Sequence, residues 1–512
     1  MKFHIRNIKA SYIIPLILFI VSFFLRISLI SKGPYHSDCL YLALQSQEIL
    51  TTHQIHYLHG LGFPLTALMG ACFIWLSRLF SVNDPVLAVN FMNVLFGSLS
   101  VVVLYLCVEQ IFDKKTALFS GVILSLNPLF LALSTFGNSH ILSVFFFLAS
   151  LYSLLNYLKN PSRHKLILSG ICLGLFGATR LQDLMAMAIP FCFLLWFPPH
   201  QLRRSEGPAN RSWTILPELS ILSVLCCITT CLFYFPSWIK GASSIVSYSI
   251  FDSVTRHFLD YLTHPSLSLI LERFFTFFAS FSPLEWLAII AGLIYLLKSD
   301  TKLFSFLAIW IFTFFIFFGN LIFSINRHFT LVLIPVIIAE SYFLSHLPKK
   351  KFLPRRIVTF TFTFVLVLNL LRFYPTIYFR HKHALLPDFF TWVSRKTEPN
   401  AYIIERDHSL FIHYYAKRTP LAPKIKLYTQ GHDILKEFKG KIDALLNQEI
   451  PVYITKYGIL YRPKHKFRKF MIQHYAFDYV GTKTVEDWHK GCLKQVLVNN
   501  DLLRIRKLEP LP

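Results

Sequence analysis

Long apolar runs separated by short polar breaks fill the first three-quarters of the chain. Runs of about 18–25 residues are the length that spans a bilayer as a helix. They predict helices at about 11–30, 86–111, 117–134, 140–158, 166–180, 184–197, 213–235, 283–298, 302–320, 328–346 and 356–373. The first run, "SYIIPLILFIVSFFLRISLI" (Ser11–Ile30), exceeds a signal peptide's apolar core and has no small-residue cleavage site, so it reads as a retained helix. The pattern is that of an α-helical polytopic membrane protein with about eleven crossings.

One more apolar run, "LGFPLTALMGACFIWLSRLF" (Leu61–Phe80), has the length to span. Counting it would invert every later loop. The connections decide against it. The N-terminus (Lys2, Arg6, Lys9), "DKK" (Lys114, Lys115), "KNPSRHK", "QLRRSEGPANR", "KSDTK" and "PKKKFLPRR" are basic, and the connections between them are not. That alternation is the positive-inside pattern. It places the N-terminus in the cytoplasm of an inner (plasma) membrane and the C-terminal segment outside. Leu61–Phe80 is then expected to lie along or dip into the outer leaflet.

Beyond Phe373 the periodicity changes. "LLPDFFTWVSRKTEPN" reads as a helix stopped by Glu-Pro-Asn, and "AYIIERD" and "PVYITKY" read as short strands. The expected division is a transmembrane domain over 1–375 and a small α/β soluble domain over 376–512. The basic run "YRPKHKFRKF" suits anionic headgroups or an anionic glycan, and equally a solvated face.

Composition adds less than pattern. A 54% hydrophobic chain with a net charge of +24 would suggest nucleic acid in a soluble protein; here the charge sits in loops, and no nucleic-acid partner is expected. Most of the nine cysteines fall inside apolar runs and read as small buried residues. Cys39 and Cys492 both fall outside and are free to pair. No CxxC or zinc spacing is present. His53, His56 and His59 recur every third residue without an acidic or Cys neighbour, so loop histidines are favoured over a metal site.

With this topology the unusual polar residues gather at the outer boundary. Asp38 and Glu48 lie in the first outer loop with His36, and Asn138 and His140 in "STFGNSH". Arg180 and Asp183 lie in "GATRLQD", and Arg327 and His328 in "FSINRHF". Each has a bland reading: Arg180 with Asp183 as a helix-end ion pair, Arg327 as a snorkelling side chain. Their shared side favours function, because charges at membrane depth are costly. Arginines suit a lipid phosphate, and a carboxylate suits removing a proton from a hydroxyl nucleophile. No Walker or GxGxxG element supports a nucleotide donor.

The order of "SDCLYLALQSQEIL", "HYLHGLGFPLTALMGACFIWLSRLF", "ALFSGVILSLNPLFLALSTFGNSH", "GICLGLFGATRLQDLMAMAIP" and "NRHFTLVLIPVIIAE" resembles the GT-C glycosyltransferases. Within that group it is similar to bacterial relatives of protein O-mannosyltransferases and of the lipid A aminoarabinose transferase. The resemblance covers roughly 10–375. It implies transfer of a sugar from a polyprenyl-phosphate donor to a lipid, glycan or protein hydroxyl at the extracytoplasmic face. It also implies a catalytic acid in the first outer loop, here Asp38. Arg180 and Arg327 would meet the donor phosphate in one outer cavity near Asp38. His36, Glu48, Asn138, His140, Asp183 and His328 are the remaining candidates for substrate contact. The family's Asp-Glu pair reads Asp38-Cys39 here, and its second acid reads Asn138-Ser139-His140. A single base without metal or other cofactor therefore fits better than a carboxylate pair. The alternatives are a transporter or flippase of a lipid or anionic solute, and a non-catalytic assembly factor. A transporter is disfavoured by the missing internal repeat and by charges at one edge.

Overall fold

The computed structural model describes residues 2–55, 63–198, 215–240, 266–319, 326–346, 355–405, 408–421, 432–456, 466–487 and 492–508. Contacts divide the chain into two units. The first comprises Met1–Ser31, Leu42–His381 and Gly491–Lys494; the second comprises Lys32–Tyr41, Lys382–Lys490 and Gln495–Pro512.

The first unit is helical. Its elements are α1 (Lys2–Ile27), most of α2 (Ser37–Thr52), α3 (Pro64–Leu79), α4 (Pro85–Ile111), α5 (Lys114–Leu126), α6 (Pro128–Leu133), α7 (Ser139–Lys159), α8 (Arg163–Thr179), α9 (Leu181–Trp196) and α10 (Ile215–Lys240). Then come α11 (Leu267–Phe278), α12 (Pro283–Ser299), α13 (Thr301–Gly319), a 3-10 helix (Asn326–Val332), α14 (Leu333–Ser345) and α15 (Arg355–Lys382). Among the described residues six helices are long and apolar enough to cross a membrane, or seven if the bent pair α11–α12 counts as one span. Shorter apolar helices, α9 and α3 among them, complete the bundle.

The chain marks its own helix starts. Asp84 caps α4 by accepting from the Val86 and Leu87 amides, with Pro85 at the first helical position. Ser282 and Glu285 form a reciprocal capping box at α12. Asn127 caps α6 in front of Pro128, and this corrects the continuous helix expected over 117–134: an Asn-Pro pair breaks it into α5 and α6. In the other direction, α15 runs through Pro375 to Lys382, past its expected end at 373. The amphipathic α11 had no counterpart in the apolar-run reading; it meets α12 at a bend of 111°.

α4 is the hub, packing on α1, α5 and α7, and α12 packs on α14. The α12–α14 contact is close because residue 292 is glycine; a Cβ there would stand 1.9 Å from the Ala339 carbonyl oxygen. None of the nine cysteines forms a disulfide, so the Cys39–Cys492 pairing allowed by sequence is not made.

The second unit is a five-stranded sheet with helices. Its elements are α16 (Leu385–Lys396), β1 (Tyr402–Ile404), helical turns at Ser409–Phe411 and Ile412–Ala416, β2 (Thr419–Pro420), α17 (His432–Asn447), β3 (Val452–Thr455), α18 (Lys466–His474), β4 (Tyr475–Glu486) and β5 (Leu497–Lys507). The strand order is β2-β1-β3-β5-β4. β1 runs parallel to β2 and β3, whereas β5 is antiparallel to both β3 and β4. Ile404, Val452, Ile454 and Ile505 from the strands bury against Phe438, Ile442, Phe467 and Met471 from the helices. The segment Lys32–Tyr41 belongs to this unit, and Gly33 lies against Ala384 and Pro387.

Candidate functional site

Three helix starts converge in the first unit. α8 and α9 are separated by a single extended residue, Arg180 (φ −156°, ψ 96°). Its guanidinium is 2% exposed and is held from three elements. Nε donates to Asp183 Oδ2 at 2.9 Å, one turn into α9. Nη1 donates to Ser139 Oγ at 3.0 Å and lies 3.4 Å from His140 Nε2, both on the first turn of α7. Nη2 lies 3.3 Å from His328 Nδ1 in the 3-10 helix. The Phe63 ring covers it, with 5.4 Å from the guanidinium carbon to the ring centroid. Ser143, one turn further along α7, donates to Asp183 Oδ2 at 2.8 Å.

The loop before α7 is fixed from both sides. Asn138 caps α7 through Oδ1, accepting from the His140 and Ile141 amides. Its Nδ2 donates to the Leu133 and Phe136 carbonyls. Asn138 is thus committed to backbone on both faces of its amide, and its place here is to position His140. On α4, Asn90 accepts from the Gly137 amide and Asn93 donates to the Phe136 and Asn138 carbonyls. Gly137 can have no side chain, since a Cβ would meet Val89 at 2.6 Å.

The structure therefore brings Arg180, Asp183, His140 and His328 together, with Asn138 as their support. The His140 and His328 rings meet edge to face at 5.2 Å. Arg327 adjoins His328 at the start of the 3-10 helix and is half-buried. Among the described residues, a carboxylate, a hydroxyl, two imidazoles and an aromatic ring surround the Arg180 guanidinium. Glu48 is half-buried on α2 and takes no part in this cluster. Asp38 lies in the first turn of α2 and belongs by contacts to the second unit. Its side chain is 37% exposed; its amide donates to Nδ1 of the buried His36 at 3.1 Å, and its carboxylate lies 3.5 Å from the same nitrogen.

Electrostatically the cluster favours an anion. The starts of α7, α9 and the 3-10 helix each present partial positive charge. Arg180 and Arg327 add to it, and Asp183 offsets one unit. No group of three or more His, Cys, Asp or Glu side chains able to hold a metal occurs among the described residues. Of the three histidines at 53, 56 and 59, only His53 lies within the described residues.

Sequence reading missed Ser139, Ser143 and Phe63. Ser139 and Ser143 stand four apart on one helix face, the spacing that would have paired them with a single partner. Phe63 gives no such signal. Another buried polar group, Glu285 with Asn369, also went unread; Asn369 donates to Glu285 Oε2 at 2.9 Å.

The family model described as dolichyl-phosphate-mannose-protein mannosyltransferase matches residues 66–216, which include Asn138, His140, Arg180 and Asp183. Solved structures extend the likeness to nearly the whole chain. ArnT from Cupriavidus metallidurans bound to undecaprenyl phosphate superposes with a TM-score of 0.60 at 13% identity, covering 96% of this chain and 97% of that one. The Archaeoglobus fulgidus oligosaccharyltransferase in complex with zinc and sulfate gives 0.57 at 16% identity, covering 91% and 71%. Arabinofuranosyltransferase AftD from Mycobacteria gives 0.50 at 13%, covering 96% and 39%. The chain has the fold of the GT-C glycosyltransferases. No curated protein matches it by sequence. Within the GT-C fold the matched segment runs from α3 to the beginning of α10, so Asp38 and Arg327 fall outside it.

Proposed function

We propose that this GT-C chain is an inverting glycosyltransferase that moves one sugar from a polyprenyl-phosphate donor to a hydroxyl acceptor at the extracytoplasmic face of the membrane. The observation that carries this reading is the buried Arg180 centre, built where three helix starts meet. Nη2 and Nη1 each lie beside an imidazole nitrogen, at 3.3 and 3.4 Å, Nη1 also donating to Ser139. Charge-assisted bonds from guanidinium to phosphate oxygen run at about 2.7–2.9 Å and are about twice as strong as neutral ones. A donor phosphate that displaces the imidazole contacts therefore gains charge-assisted bonds, while Asp183 and Ser139 keep the fork oriented. The histidines then donate to the phosphate as it becomes the leaving group, with Arg327 adding charge; stabilising that developing charge is the main electrostatic task of the site. The oligosaccharyltransferase above binds sulfate and ArnT binds undecaprenyl phosphate, which supports an anionic lipid headgroup as the ligand class.

Asp38 is the general base on the acceptor hydroxyl. It is half-exposed, and its neighbour His36 is buried and bonded to the Asp38 amide, which holds the acid at the start of α2. As the sugar carbon bonds to the acceptor oxygen, the bond to the phosphate oxygen breaks, the acceptor proton passes to Asp38, and the polyprenyl phosphate leaves. General-base catalysis contributes about 10²–10⁴-fold, so Asp38→Asn is expected to slow transfer by that factor, about 3–5 kcal/mol in the barrier. The assay is sugar transfer from a polyprenyl-phosphate donor in nanodiscs. A fully active Asp38→Asn enzyme would overturn the assignment of the base. The membrane orientation assigns Asp113–Thr116 to the cytoplasm and Pro420 to the outside; reporter fusions giving the reverse would overturn the face.

A further inference from the structure

One acid of the helical unit takes no part in the transfer reaction. Glu340 lies inside the span Asn326–Ser345, five residues before the end of α14, and is 0% exposed. Neither of its carboxylate oxygens has a hydrogen-bond partner among the described residues. The next side chain, Ser341, is buried to the same degree, and its hydroxyl has no partner among them either. A carboxylate taken out of water is costly unless donors or a counter-charge compensate it. In a membrane helix such a group is a functional candidate by default.

The surrounding helices do not compensate it. α14 packs on α5, α12, α13 and the 3-10 helix. On α5, Lys115 donates to the Ser345 carbonyl at 3.0 Å, and Lys114 is exposed. On α12, Lys298 and Tyr295 are exposed; on α13, Lys302 is half-buried in the first turn. In the 3-10 helix His328 lies against Arg180, and Arg327 precedes it. On α14 itself the Tyr342 phenol meets the Ser299 hydroxyl at 3.0 Å. Neither Glu340 oxygen is bonded to any of these groups. The charge that does reach Glu340 is of its own sign: Glu285 of α12, 1% exposed. Glu285 is itself served, accepting from the Ser282 amide at 2.6 Å and Asn369 Nδ2 at 2.9 Å. The two helices touch one residue before Glu340, where Gly292 meets the Ala339 carbonyl, so the acid is held within a tight seam.

We propose that Glu340 is a binding site for a small monovalent cation, which neutralises it where α14 packs on α12. A proton and a sodium ion share that chemistry. A divalent ion demands a fuller shell of oxygens than one carboxyl brings. The rival is a buried acid that holds no ion, and it predicts no specific response to either. The proposal goes beyond the transfer reaction and is independent of the roles given to Arg180 and Asp38.

The test is thermal melting of the full-length protein in nanodiscs, wild type against Glu340→Gln. One series runs from pH 5 to pH 9 without sodium, with choline chloride holding the ionic strength. A group that carries a proton in the native state and releases it on unfolding stabilises at low pH, and that stability is lost as pH rises. If the proton is the ligand, wild type is expected to lose at least about 3 °C more than Glu340→Gln across the series. The other series replaces choline by sodium at pH 8, up to about 0.3 M. If sodium is the ligand, wild type is expected to gain at least about 3 °C that Glu340→Gln does not. A further measurement needs no variant: wild type is treated with dicyclohexylcarbodiimide, an apolar reagent, and its peptides are weighed. The carboxyl O–H adds across one C=N bond, and the O-acylisourea rearranges to an N-acylurea with no group leaving. At pH 8 without sodium, adduct on Glu340 is expected at least fivefold above that on the exposed Glu272; sodium, if it is the ligand, lowers it at least twofold. Parallel melting of wild type and Glu340→Gln in both series, or no more adduct on Glu340 than on Glu272, would each overturn the proposal.

Discussion

Arg26 and Arg180 are both among the largest fully buried side chains of the helical unit, and their surroundings are opposite. Arg26 lies in the last turn of α1. Nη1 donates to the Ser22 hydroxyl and carbonyl, the guanidinium carbon stands 5.3 Å from the Phe130 centroid, and Nε and Nη2 have no hydrogen-bond partner among the described residues. Arg180 has a carboxylate, a hydroxyl, two imidazoles and an aromatic face, drawn from three helix starts. The first guanidinium has no carboxylate partner among the described residues; the second anchors a network. Burial of an arginine by itself therefore says little about function. What distinguishes the two is compensation, and the convergence of elements that supplies it.

Substitutions at the two positions turn that contrast into measurements. Arg180→Met leaves the buried Asp183 unpaired, which typically costs about 3–5 kcal/mol; the nanodisc-embedded protein should melt well below wild type. Arg180→Met combined with Asp183→Leu removes both charges and should recover most of that loss, since a buried pair replaced by apolar groups is often neutral or stabilising by about 1–4 kcal/mol. The double variant should still fail to bind the lipid phosphate, and recovery of binding would place the phosphate elsewhere. Arg26→Met should cause no loss of thermal stability, because it removes a charge that has no counter-charge to leave behind. A drop as large as that of Arg180→Met would erase the contrast. In affinity for undecaprenyl phosphate His328→Ala should cost less than Arg180→Met, about tenfold or about 1.4 kcal/mol, with melting unchanged.

Much of this was legible in sequence, and unevenly. Apolar runs located most of the helices because a segment of that length and hydropathy has few other places to go. The caps at Asp84, Asn127 and Ser282 were signals that the apolar-run reading did not use, and Asn127-Pro128 marks a break that periodicity alone ran through. α11 was not legible as a hydrophobic run because Glu272 and Arg273 interrupt it. In the second unit the strands at "YII" and "VYIT" were visible, as was the helix before them, whereas the long β4–β5 pair, rich in polar and charged residues, carried too weak an alternation. The site was legible as a set of residue types: Arg180 with Asp183 at i, i+3, and histidines at two loop ends. Its geometry was not, because the meeting of the α7, α9 and 3-10 starts is a tertiary event. For the same reason Asn138 looked like a substrate ligand, although capping and loop bonds absorb its whole side chain. Arg26 sat unremarked inside an apolar run, since nothing local separates a snorkelling arginine from a buried one.

The central claim is that the Arg180 centre reads the donor's lipid phosphate while Asp38 acts on the acceptor. Its most direct test is the affinity of the full-length protein for undecaprenyl phosphate, measured in nanodiscs for wild type, Arg180→Lys and Asp38→Asn. Lysine keeps the charge that balances Asp183 but lacks the planar fork, so folding should survive while the phosphate contacts are lost. The expected result is about 10–100-fold weaker binding for Arg180→Lys, the loss of one or two charge-assisted bonds of about 1.5–3 kcal/mol, with Asp38→Asn within about twofold of wild type because its carboxylate serves only the acceptor. Wild-type affinity in Arg180→Lys, or a loss in Asp38→Asn as large as that in Arg180→Lys, would contradict the account.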